Sequence, residues 1–313
     1  MKKSIILSAC LLTVGAIIFT GCKKDDEEVP IVVAPTPTVP KSSNVVLHLP
    51  LNGNANAAVG TATTVTNTAT YVSDRKGTAN GAAYLNGAAA AGTGQIIELS
   101  GGNFIPSTTT VSCWYKIDPS TFGPGSRIMF GVATDRGYFL EVAGDQAWCK
   151  FATSHRLNPD PNAHYYGTAW TDPNGDGNAT GNVVYDYLGS LTTMLGGTGW
   201  HQMVMTYDEV SAIKTLFVDG VKVMQVDLNS DASNEWHMGA LKIADQAGGT
   251  GAAISGIVSN LTLGYFCSAS NTATGWSDYA TSTNTWQGSL DDFRIWNVAL
   301  SESEVLALYN FEK

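Results

Sequence analysis

Trp200-His201-Gln202-Met203-Val204-Met205-Thr206-Tyr207-Asp208, with Leu216-Phe217-Val218-Asp219-Gly220-Val221 close behind it, decides the fold of this chain. Met203–Tyr207 and Lys214–Val218 are short runs of apolar, β-branched and aromatic residues with a period of two, so they read as strands rather than helical faces. Asp219-Gly220 separates Thr215–Val218 from Val221–Val226. The two central residues of a tight hairpin need positive φ, which Asp tolerates and Gly adopts freely, so these runs form a hairpin.

The same reading extends in both directions. Val45–Leu49, Val111–Ile117 and Leu290–Trp296 are further strands, with Gly, Asn, Asp and Ser punctuating the chain at short intervals. Only one segment reads as helix. In Ser301-Glu302-Ser303-Glu304, Ser301 and Glu304 form a capping box, and Val305, Leu306, Leu308 and Tyr309 supply an apolar face. Many strands, Gly-rich turns and one terminal helix predict an all-β sandwich of two antiparallel sheets over 44–313.

These stretches resemble a family. Trp200–Asp208 with Leu216–Val221 is similar to the "W-H-hydrophobic…Y-D…L-Y-V-D-G" run of LamG-like, concanavalin A-like lectin/glucanase domains. Trp286-Gln287-Gly288-Ser289-Leu290-Asp291-Asp292-Phe293-Arg294-Ile295-Trp296-Asn297, with Ala299-Leu300-Ser301 and Glu304, resembles that family's closing signature. Leu49–Asn54 and Gly81–Gly87 fit its start. The resemblance implies a jelly roll, and leaves the function open because such folds host lectins, enzymes and spacers alike.

Within the motifs, Trp200, Tyr207 and Trp296 are expected in the core, and Arg294 is expected to pair with Asp291 and Asp292. The resemblance also implies a structural calcium, held in part by Asp292, that pins the start of the domain to its end. The family's partner aspartate is replaced here by Ala57, which leaves Asn54, Asn56 and backbone carbonyls as substitute ligands.

A second calcium candidate is read from spacing. Asp172-Pro173-Asn174-Gly175-Asp176-Gly177-Asn178 places oxygen ligands at positions 1, 3 and 5 of an EF-type loop, glycine at 6 and a carbonyl at 7. Position 12 is Val183, so a bidentate ligand has to come from Asp186, Asp160 or elsewhere. The alternative is a plain polar turn.

That loop lies within a long segment, Ser154–Gly199, which also carries His164, Tyr165, Tyr166 and Trp170. Long excursions from a rigid sandwich are where binding residues are usually placed. Flat aromatic faces stack on sugar C–H bonds, and amides and carboxylates meet hydroxyls, so these four residues are the candidate carbohydrate contacts. Packing onto the sandwich is the alternative for each. A second aromatic stretch, Trp276–Trp286, is a candidate extension of the same surface or part of another edge.

Glucanases on this fold carry acids at alternate positions of one strand, where one carboxyl is the acid and another the nucleophile. No such triplet occurs; Glu141 stands alone, and Glu302 and Glu304 belong to the terminal helix. The expectation is a non-catalytic carbohydrate-binding protein. An adhesion or structural module is the alternative, and a glycoside hydrolase comes behind it.

The N-terminus sets the compartment. Lys2 and Lys3 precede an apolar run, Ile5–Phe19, that ends in Gly21-Cys22. This resembles a bacterial lipoprotein signal (1–21) in which Cys22 is lipidated. Lys23–Glu28 and the proline-bearing Val29–Lys41 then read as an unfolded tether, 22–43, before the domain. The lysine-then-acidic tag resembles the surface-export signal of Bacteroidota lipoproteins, so outer-membrane, cell-surface display is expected, with a periplasm-facing anchor as the alternative. The formal charge of −10, or −12 once Lys2 and Lys3 are removed, argues against nucleic acid. Cys113, Cys149 and Cys267 remain after Cys10 and Cys22 are accounted for, so at most one disulfide forms.

Overall fold

A computed structural model describes residues 38–87, 90–102, 104, 106, 108–117, 126–132, 138–144, 149–155, 199–208, 210–211, 213–227, 260–265 and 285–313. These belong to the compact unit Pro37–Lys313. The strands are β1 (Val45–Leu49), β2 (Thr63–Asn67), β3 (Thr70–Val72), β4 (Ala82–Asn86), β5 (Ile97–Ser100), β6 (Thr109–Ile117) and β7 (Ser126–Val132). They continue as β8 (Tyr138–Gly144), β9 (Cys149–His155), β10 (His201–Asp208), β11 (Ile213–Val218), β12 (Val221–Asp227), β13 (Leu261–Leu263) and β14 (Gln287–Trp296), followed by helix α1 (Glu302–Glu312).

The expected sandwich is present. An eight-stranded sheet runs β12-β11-β10-β6-β14-β4-β3, with β1 also on β14, and a six-stranded sheet runs β2-β5-β13-β7-β8-β9. Every recorded pairing is antiparallel. Asp219 and Gly220 have φ of 52° and 76°, as the hairpin reading requires. A Cβ on Gly220 would lie 3.1 Å from Leu306 and Tyr309, so glycine also lets α1 approach the turn.

The core lies between the sheets. Cys113 and Tyr115 of β6, Met203, Met205 and Tyr207 of β10, and Phe293 and Ile295 of β14 meet Ile97, Phe130 and Leu261 of the smaller sheet. The opposite face of the larger sheet is covered too: Val204, Phe217 and Trp296 pack against Val305 and Leu308 of α1 and Leu300 just before it. Burial on both faces explains why β6 and β10 read as nearly continuous apolar runs instead of clean alternation. The capping box forms as expected at Ser301 and Glu304.

One bulge organises the site region. Pairing of β14 with β6 shifts register between Asp291 and Arg294, and Asp292 there has φ of 48°. Leu290 points into the core before the bulge and Phe293 after it, so the extra residue turns both Asp291 and Asp292 toward the α1 side. The bulge also divides the edge of β14, whose first half pairs β4 and second half β1.

Candidate functional site

Two regions among the described residues bear on the candidate site. The first is one end of the sandwich. β10 begins there, with His201 opposite Tyr115, and β14 begins there, with Gly288 opposite Ile117 and Gln287 opposite Asn86. The end of β13 joins them, because Trp286 N–H donates to the Gly264 carbonyl at 2.8 Å. Thus the chain after the long aromatic segment enters the sheet at Trp200–His201, while the chain between Tyr265 and Thr285 both leaves and returns at this same end. His201 Nδ1 lies 2.6 Å from Asp219 Oδ2, and Asp219 Oδ1 accepts from Gln202 N at 2.8 Å. These bonds fix the β11–β12 turn to the first residues of β10.

The aromatic assignments divide here. Tyr207 and Trp296 are fully buried, as expected. Trp200, which directly precedes β10, is only half-buried, against the expectation. Trp286, the last residue of the second aromatic stretch, is fully buried and meets Tyr115 edge-on at 6.1 Å, so this residue is no part of a binding surface; residues 276–284 lie outside the described residues. Alternation could not place it, because it sits one residue before β14. His164, Tyr165, Tyr166, Trp170, Asp172, Asn174, Asp176, Asn178 and Cys22 lie outside the described residues.

The second region is a buried charge cluster between the larger sheet and α1. Arg75 donates through Nη1 to Asp291, through Nη2 to Asp292 Oδ2 at 2.6 Å, and through Nε to the Glu312 carbonyl at 3.0 Å. Arg294 donates through Nη2 to Asp292 Oδ1 at 2.9 Å and through Nη1 to Glu312. Glu312 Oε2 also accepts from Trp114 Nε1 and Gln202 Nε2, each at 2.8 Å. His48 Nε2 lies 2.9 Å from Asp292 Oδ1.

Arg294 therefore pairs with Asp292 and Glu312, while Asp291 belongs to Arg75, which corrects half of the expected ion pair. Sequence reading missed Arg75, His48 and Glu312, since each meets partners more than a hundred positions away.

The electrostatics follow from the charge count. Three carboxylates face two guanidiniums, leaving one negative charge in excess. Burial pushes the Asp291 carboxyl up to about 7 despite the pull of Arg75. Burial also acts to raise Asp292, but the His48 hydrogen bond and the charges of Arg294 and Arg75 outweigh it and hold this carboxyl well below the usual range. Burial raises Glu312. Cys113, in the core beside the bulge, is a free thiol raised by burial, so it takes no part in a disulfide.

No family model matches the chain, and no curated protein does. Solved structures do. The binding domain of Paraclostridial Mosquitocidal Protein 1 is 16% identical with a TM-score of 0.52, over 86% of this chain and 52% of that one. The receptor binding domain of botulinum neurotoxin C/D mosaic serotype is 12% identical with a TM-score of 0.50, over the same shares. Domain 4 of AbnA, a GH43 extracellular arabinanase from Geobacillus stearothermophilus, in complex with arabinotriose, is 17% identical with a TM-score of 0.45, over 85% and 98%. The chain spans about half the length of the first two. At these identities the first two likenesses speak to the β-sandwich fold alone.

Proposed function

We propose that this chain is a non-catalytic carbohydrate-binding lipoprotein of the outer membrane, displayed at the cell surface and anchored through Cys22. The observation that carries the reading is the placement of the two ends of β14. Its last residue, Trp296, donates through Nε1 to the Pro40 carbonyl at 3.1 Å and pairs with Val45, so the tether joins the domain at that end. Its first residues lie at the other end, where the chain carrying His164, Tyr165, Tyr166 and Trp170 enters β10. Ten residues of strand separate them, about 30 Å. In an anchored domain built this way the start of β10, where that segment rejoins the sheet, lies at the end opposite the tether.

Further support comes from the neighbours named as binding and receptor binding domains, and from the absence of a glucanase-type acid triplet in the sequence. In this reading Trp170 and its neighbours stack on sugar rings. Asp172, Asn174, Asp176 and Asn178 hold a calcium ion that stiffens the segment.

A glycan array probed with the full-length protein, with calcium and with chelator, tests the function. Selective, calcium-enhanced binding to a glycan class is expected. Binding to no glycan, with retention of matrix protein instead, would replace this reading with the adhesion module. For the anchor, Cys22→Ser is expected to move the protein from the membrane to the soluble fraction; unchanged fractionation would overturn it.

A further inference from the structure

The acidic bulge of β14 is where the family resemblance implies calcium, and the residues present do not fit that ion. Asp292 Oδ1 meets Arg294 and His48, and Oδ2 meets Arg75, so both oxygens already face cationic or hydrogen-bonding side chains. Ala57, in place of the expected acid, packs against the core. Asn54, a substitute ligand, has its amide turned into its own loop: Oδ1 accepts from Asn56 N at 2.9 Å and Nδ2 donates to Asn52 O at 3.1 Å.

What does fit is a guanidinium. Arg75 uses all three of its nitrogens on three acceptors, while its face covers the Trp114 ring at 4.7 Å. Its planar fork suits adjacent carboxylates in a way that a point charge does not. The loop that delivers it is built for the purpose. Asp74 Oδ1 accepts from Lys76 N at 2.8 Å and Thr78 N at 2.7 Å, and a Cβ on Gly81 would lie 2.6 Å from Asp74 Oδ2. The side chain of Arg75 is 7% exposed, so it is enclosed with its partners.

We propose that the Arg75 guanidinium is the resident cation of this junction, fastening the acidic bulge of β14 to the last turn of α1, so that the junction takes no calcium ion. Arg75 bridges residues 216, 217 and 237 positions away, the start-to-end pinning that the metal would otherwise supply.

The experiment is a set of thermal melts of the full-length protein carrying Asp176→Ala, which silences the other calcium candidate, in millimolar calcium and in EGTA. The two melts are expected to coincide. Arg75→Gln on this background should lower Tm by about 10 °C, and Arg75→Lys, whose ammonium cannot span both carboxylates, by roughly half as much. A calcium-dependent rise in Tm that Asp292→Asn abolishes would overturn the proposal, and so would an unchanged Tm in Arg75→Lys. The lysine variant keeps the test decisive if Arg75→Gln does not fold.

Discussion

Trp114 donates its indole N–H to Oε2 of Glu312 at 2.8 Å, joining the middle of β6 to the second-last residue of the chain. Glu312 is 2% exposed at the end of a helix whose cap residue, Lys313, is exposed. A carboxylate so placed accepts from Gln202 and Arg294 as well, so α1 is held by its last turn as much as by its apolar face.

Glu312→Ala is therefore expected to destabilise the domain by about 3–5 kcal/mol, because it leaves buried donors and a guanidinium unpaired. Deleting Lys313 alone should cost less than about 0.5 kcal/mol. Denaturant unfolding of both variants checks the contrast; equal losses would mean that the helix end, not the carboxylate, matters.

The cluster also sets a pH dependence. Asp292 has a lowered folded-state value, so its contribution is present above the ordinary aspartate range and is lost as pH falls below it. Asp291 is raised to about 7, so its contribution is complete below the ordinary aspartate value and is lost as pH rises toward 7. Stability is expected to decline between about pH 4 and 7 on account of Asp291. Asp291→Asn should flatten that decline, measured as the denaturation midpoint against pH. An unchanged slope would show that Asp291 is ionised throughout.

Trp296→Ala should remove about 3–5 kcal/mol, because the fully buried indole fills the contact of β14 with α1. Trp170→Ala should leave the melt intact and weaken glycan binding by about 1–3 kcal/mol, as loss of one stacking contact does. Calorimetric titration of a glycan found on the array, beside a thermal melt, separates the two. An unfolded Trp170→Ala protein would make that residue a packing one.

Chelation tests the loop at Asp172–Asn178. EGTA is expected to lower Tm of the wild type, since an ion bound only to the folded state stabilises it by mass action. Asp176→Ala should abolish that response with an unchanged far-UV spectrum. A chelator-insensitive wild type would reduce the loop to a turn.

The local features of this protein were legible in its sequence because their causes are local. The Asp219-Gly220 turn depends on two residues that accept positive φ, and the start of α1 depends on two side chains that satisfy each other's amides. The strands around Tyr207 and Trp296 follow from period and turn spacing; Tyr207 is buried between the sheets as that period implies, whereas Trp296 is buried on the opposite face, where Val305 and Leu308 of α1 cover it.

Other outcomes belong to the tertiary structure. Trp286 and Trp200 both directly precede strands, yet one meets Tyr115 in the core and the other stays half-exposed, a difference that local sequence does not carry. Nothing near Arg75 in the sequence distinguishes it from a solvated turn arginine. It becomes a buried cation only because a bulge turns Asp291 and Asp292 to one side of β14, and α1 returns Glu312 to the same place. Local propensity fixes turns, caps and strands; burial and charge pairing are decided by residues that only folding brings together.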